Sequence, residues 1–151
     1  MADGKTTLTK PMTPLLAPGE ELLGGCKAAG KNAPMKAMAS SATGVEMGEG
    51  PGAGGWAGVV PQDRVFWVGA TNRRLVYFGV GYWNSTPKSL RGETPLEAVA
   101  SIVVSRTTIA RRLAMTFTDG TSTVVDLYRA NSPDQLQEAL TTLLPGRVVE
   151  G

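Results

Sequence analysis

Leu113, Met115 and Phe117 alternate with Arg112, Ala114, Thr116 and Thr118, the period-two pattern of a strand with one buried and one wet face. Asp119-Gly120 follows at once, and Val125 and Leu127 then share a face within Thr121 to Tyr128, so this stretch predicts a tight hairpin. A second hairpin is predicted in VFWVGATNRRLVYF, Val65 to Phe78, where two apolar, β-prone runs flank a short polar and doubly basic break. Both of those runs are apolar on each side, which predicts strands covered on both faces. Pro95 leads into LEAVASIVVSR, where Ile102 and Val104 alternate with Ser101, Val103 and Ser105 as a further strand. The period then changes to that of a helix: Leu136, Ala139, Leu140, Leu143 and Leu144 fall on one face. Ser132 is the candidate N-cap, Pro133 suits the first helical position, Gln135 completes a capping box, and Pro145-Gly146 stops the helix.

One amphipathic helix after a run of antiparallel strands has only the sheet to bury its apolar face against, which gives an α+β class. The expected architecture is a small antiparallel β-barrel or strongly bent sheet closed by one C-terminal α-helix. Residues 1–19, with Pro11, Pro14 and Pro18 among threonines and lysines, are expected to form a flexible N-terminal arm. One domain is expected over 20–145, opening with a strand in Glu21 to Ala29 that Gly24 and Gly25 weaken or bulge. A Gly- and Ala-rich irregular insertion is expected at about 30–61. It contains PMKAMASSA, read as loop, and GEGPGAGG, which has almost no apolar side chain to offset backbone ordering. Asn84 to Thr94 also reads as a loop, and 146–151 as a C-terminal tail.

Composition narrows the chemistry. The 151 residues carry a formal net charge of +2, too small to drive bulk nucleic-acid binding. Arg64 to Arg112 holds eight basic residues against Glu93 and Glu97, a local +6, whereas Arg129 and Arg147 face five acids after Leu113, a local −3. Positive surface therefore belongs to the strands and not to the helix. No histidine is present, which removes His-ligated metals and His-based general bases. The single cysteine, Cys26, excludes an internal disulfide and fits a cytoplasmic address, and no cofactor is implied. The opening MADGKTTLTKPMTPLL lacks the apolar run of a signal peptide, and no segment approaches the ~20 apolar residues of a membrane helix.

APGEELL at Ala17 to Leu23, TNRRL at Thr71 to Leu75, Pro95-Leu96, Asp119-Gly120 and the closing helix form an ordered set. That set resembles the bacterial pleckstrin-homology-like (PH-like) domains. The resemblance implies a binding or scaffolding module and not an enzyme, with function argued from residues. Arg73 and Arg74 sit at one predicted turn, and Arg106, Arg111 and Arg112 bracket another. If the turns share one end of the barrel, their guanidinium groups can converge on phosphate or carboxylate; the bland reading is separate solvated arginines, or one arginine of the TNRRL pair fixing the hairpin through its own backbone carbonyls. Trp56, Tyr82 and Trp83 are candidate protein-interface anchors, set against a plain packing role.

Two functional expectations follow. The first is an intracellular module that binds a protein partner; the second is weak association with anionic lipid headgroups through the basic turns. Nucleic acid is disfavoured because the aromatics around NRRLVYF are needed for the core. A homo-oligomer is compatible with the apolar block from 65 to 80. The scattered acids Asp63, Glu93, Glu97, Asp119 and Asp126 form no acid–base or metal motif, with Asp119 expected to serve its turn and Asp126 to point outward.

Overall fold

A computed structural model describes residues 4–30, 55–61, 65–80, 86–108, 110–131 and 133–151. Its elements are α1 (Gly4–Met12), β1 (Leu22–Gly30), α2 (Gly55–Val59), β2 (Val65–Thr71), β3 (Arg74–Val80), β4 (Pro87–Pro95), β5 (Val99–Arg106), β6 (Ala110–Phe117), β7 (Ser122–Tyr128), α3 (Pro133–Leu143) and β8 (Val148–Glu150). The strands form one sheet ordered β4-β3-β2-β1-β7-β6-β5-β8, antiparallel except for the β5–β8 pair. Strand β1 pairs with β2 from Leu22 to Ala29, but with β7 only through Ala28, Ala29 and Gly30. This short junction is a corner. Phe66, Val68 and Tyr77 from one wing share a core with Ile102, Leu113 and Met115 from the other, so the sheet folds over its own apolar face. It does not close into a barrel, and among the described residues β4 and β8 remain edges.

The expected helix stands. Leu136, Leu140 and Leu144 of α3 and its end are buried in the shared core, with Leu143 packed beside them. Ser132, its candidate cap, lies outside the described residues. The Gly24-Gly25 pair explains itself once both faces of β1 are seen. A side chain at Gly24 would meet the α3 backbone at Leu136, and one at Gly25 would meet Leu8 and the Gly4 backbone of α1. Two helices thus press on opposite faces of one strand, and the register slips between Leu22 and Gly24.

Four expectations change. The supposed flexible arm is helical from Gly4 to Met12 and continues as a 3-10 turn, Thr13–Leu15. Its threonines, Gly4 and Pro11 are poor helix formers. The helix forms because Leu8 and Met12, both 0% exposed, cover the outer sheet face, each burial contributing about 2–3 kcal/mol. The stretch read as loop, Asn84 to Thr94, is strand β4 from Pro87 onward; its polar residues mark an edge strand, where one side faces water. Part of the expected irregular insertion, from Gly55, forms α2 and delivers Val60 to the core, while residues 31–54 lie outside the described residues. The expected tail 146–151 supplies β8, which pairs with Ile102, Val103 and Val104.

The β6–β7 hairpin follows its alternation, with Leu113, Met115, Phe117, Val125 and Leu127 all buried. Its turn is wider than a two-residue hairpin: Phe117 N–H donates to Thr121 O at 2.8 Å and Gly120 N–H to Phe117 O at 3.0 Å. Gly120 holds φ +89, which the absence of a Cβ permits.

Candidate functional site

The β2–β3 turn is built around the Thr71 side chain, whose Oγ1 accepts the Arg73 and Arg74 N–H groups at 3.1 and 3.0 Å and donates to Glu20 Oε2 at 2.6 Å. Arg74 then closes on the same carboxylate, Nε to Glu20 Oε2 at 2.8 Å and Nη2 to Oε1 at 3.2 Å. Its remaining donors reach Glu93 Oε1 and Leu15 O, both at 2.8 Å. Burial opposes ionisation of Glu20, but donors from Arg74, the Ala17 N–H and Thr71 outweigh it and bring its pKa down to about 2. Arg73 donates to Pro18 O at 2.9 Å, and Asn72 Nδ2 to Gly19 O at 3.0 Å, while Asn72 Oδ1 accepts the Glu21 N–H at 2.9 Å. The TNRR turn is therefore a clamp on residues 15 to 21.

Two of the other three candidate arginines are engaged elsewhere. Arg112 faces Asp126 across the β6–β7 ladder, Nε to Oδ1 at 2.9 Å. Arg111, 8% exposed, pairs with Asp134 and donates to Gln137 Oε1 at 2.7 Å, which ties β6 to the first turns of α3. Arg106 is exposed at the end of β5. The strand registers point both basic turns the same way along the sheet but leave β1 and β7 between them. Arg106 and Arg111 stand opposite each other in the β5–β6 register, and Arg74, Arg111 and Arg112 each have a carboxylate of this chain. Arg73 and Arg106 are the two of the five candidates with no carboxylate partner among the described residues.

Trp56 is half-buried and packs against the core from α2. Its backbone N–H donates to Asp119 Oδ2 at 2.8 Å, and the Ala57 backbone N–H to Thr121 Oγ1 at 3.1 Å. The β6–β7 turn thus holds the start of α2, while Val59 lies against Gly92 of β4, so α2 spans the gap between the two wings. The Thr121 hydroxyl and the Trp56 N–H hold the Asp119 carboxyl below its ordinary pKa. Tyr82 and Trp83 lie outside the described residues. We expect Asp119→Ala to release α2 without disturbing the sheet, read as a rise of at least tenfold in hydrogen exchange at Trp56 and Ala57 with the β1–β2 amides unchanged.

Burial pushes the Cys26 thiol up to about 12, so it is no nucleophile at neutral pH. Among the described residues no group of three His, Cys, Asp or Glu is placed to hold a metal. No helix among them is long and apolar enough to cross a membrane. Sequence reasoning missed Glu20 and Asn72, whose partners lie 51 to 54 residues away.

No family model matches the chain, and no curated protein matches it. Solved structures do. A DUF1696 family protein with a pleckstrin-homology domain from Shewanella loihica aligns with a TM-score of 0.51 at 10% identity, over 95% of this chain and 98% of that one. A pleckstrin homology domain from Shewanella amazonensis aligns with a TM-score of 0.48 at 13% identity, over 94% and 99%. The first of these likenesses carries the fold: this chain has the fold of the bacterial PH-like domains.

Proposed function

We propose that this chain is a non-catalytic PH-like interaction module that binds a protein partner. The observation that supports this reading is the internal use of its cations: Arg74, Arg111 and Arg112 are neutralised by Glu20, Asp134 and Asp126. Freeing such a paired guanidinium for a headgroup leaves a carboxylate behind, and for Glu20 that carboxylate is buried. A protein surface asks for less charge, and the exposed apolar residues Val103 and Val149 stand side by side in the β5–β8 register. The raised Cys26 pKa supports a role without nucleophilic catalysis by that thiol.

The test has two arms. Co-sedimentation with neutral and anionic vesicles at low and near-physiological salt, using wild type and Arg73→Ala/Arg106→Ala, is expected to leave the protein in the supernatant under physiological salt. Salt-sensitive sedimentation with anionic vesicles alone, abolished in that variant, would replace this reading by headgroup binding. In the second arm, a complex reconstituted from purified partner and chain is expected to survive 500 mM salt, as an interface with an apolar centre does.

A further inference from the structure

Alternate residues of β6 and β7 turn away from the shared core, from Ala110 to Thr116 and from Ser122 to Tyr128, and none of them is buried. The ladder sets them side by side in rows: Ala110 with Tyr128, Arg112 with Asp126, Ala114 with Val124. Each of these rows joins a small residue to a larger one, or a cation to an anion. Val103 and Val149, 37% and 50% exposed, extend the last row across β5 and β8. Helix α1 covers the outer face of the opposite wing, whereas this outer face stays at least partly open to solvent.

We infer that this face joins a second copy of the chain, sheet against sheet, about a two-fold axis that runs along the strands between β6 and β7. The inference rests on the protein-binding reading and names the partner of this face. Its support is the self-complementarity of the rows. Such an axis exchanges β6 for β7, so Ala114 lies over the partner's Val124, Ala110 over the partner's Tyr128 and Arg112 over the partner's Asp126. The larger side chains then fill the space over the alanines, as facing sheets require. The Arg112–Asp126 pair of each copy meets its own reverse, which leaves no charge of the pair unmatched between the sheets. An axis centred on β6 would instead stack Arg112 on itself, a like-charge contact. At ordinary strand spacing and rise, β5 to β8 offer roughly 400 Å² per copy, the size of a weak and reversible dimer.

Sedimentation velocity of the wild-type chain comes first. The monomer is expected to dominate at about 5 µM and the dimer at about 500 µM. A monomer throughout would overturn the inference and leave the protein-binding reading to its own reconstitution. Ala114→Glu and Val124→Lys then test the axis. Each alone is expected to lower the dimer fraction at least fivefold at the higher concentration, because it sets a charge against an apolar side chain of the partner. Mixed in equal amounts, the two variants are expected to regain at least half of the wild-type dimer as a one-to-one pair, since the introduced carboxylate and ammonium face each other across the axis. A mixture that stays monomeric, a single variant that dimerises like wild type, or loss of β-sheet circular dichroism in either variant would overturn this arrangement.

Discussion

Replacing Arg74 by alanine is expected to lower Tm by about 10 °C at neutral pH, because it leaves the Glu20 carboxylate buried without its cation. Breaking a buried pair from one side costs about 3–5 kcal/mol, and each kcal/mol is worth about 2–4 °C in a chain of this length. The Glu20 side chain is 1% exposed and also accepts Thr71, so it cannot turn to water without opening the β2–β3 turn. The pH dependence is signed. Glu20 titrates at about 2 in the fold against an ordinary 4.5, so its ionised form stabilises the fold fully above about pH 4.5, and that stability is lost as pH falls through about 2. That shift corresponds to stability on the order of 3 kcal/mol. Urea titrations of wild type and Arg74→Ala from pH 7 to pH 2 are expected to converge toward the acid end. A gap constant across that range would show that Arg74 acts through packing of its stem and not through the carboxylate.

Leu136→Ala is expected to cost about 3–5 kcal/mol, the upper part of the range for a leucine deletion in a core. Leu136 is 0% exposed, and its Cα lies 3.1 Å from where a Cβ on Gly24 would be, so α3 already rests on the β1 backbone and cannot move closer to fill the space. The deletion also enlarges an apolar void of about 10 Å³, lined by Phe66, Tyr77, Met115 and Leu140 among others, too small in the wild type to hold water comfortably. Chemical denaturation gives the number, and Leu136→Met, which keeps the volume, should cost under about 1.5 kcal/mol. A small loss in Leu136→Ala would mean that α3 is loosely seated, against its close approach to Gly24.

These two sites differ in how far the chain's order of residues announced them. Leu136 was legible because helical periodicity is a local signal, repeated in Ala139, Leu140 and Leu144 and bounded by Pro133 and Pro145-Gly146. Arg74 was legible as a turn residue, but its chemistry was not: convergence on a ligand and pairing with Glu20 look alike in TNRRL. Strand β4 escaped notice because an edge strand rich in Lys88, Ser89, Arg91 and Glu93 has the composition of a loop. Helix α1 escaped for the opposite reason, since its own propensities argue against it and only the sheet beneath Leu8 and Met12 favours it.

The hairpins, the closing helix and the α+β class follow from local order along the chain, because periods of 2 and 3.6 residues and the turn residues between them act over a few positions. It took the folded arrangement to show that the sheet bends without closing, that glycines 24 and 25 admit a helix on each face of β1, and that three of five candidate arginines are held by this chain's own carboxylates. Those outcomes depend on which distant groups are brought together, and a guanidinium takes whichever carboxylate the fold places within reach.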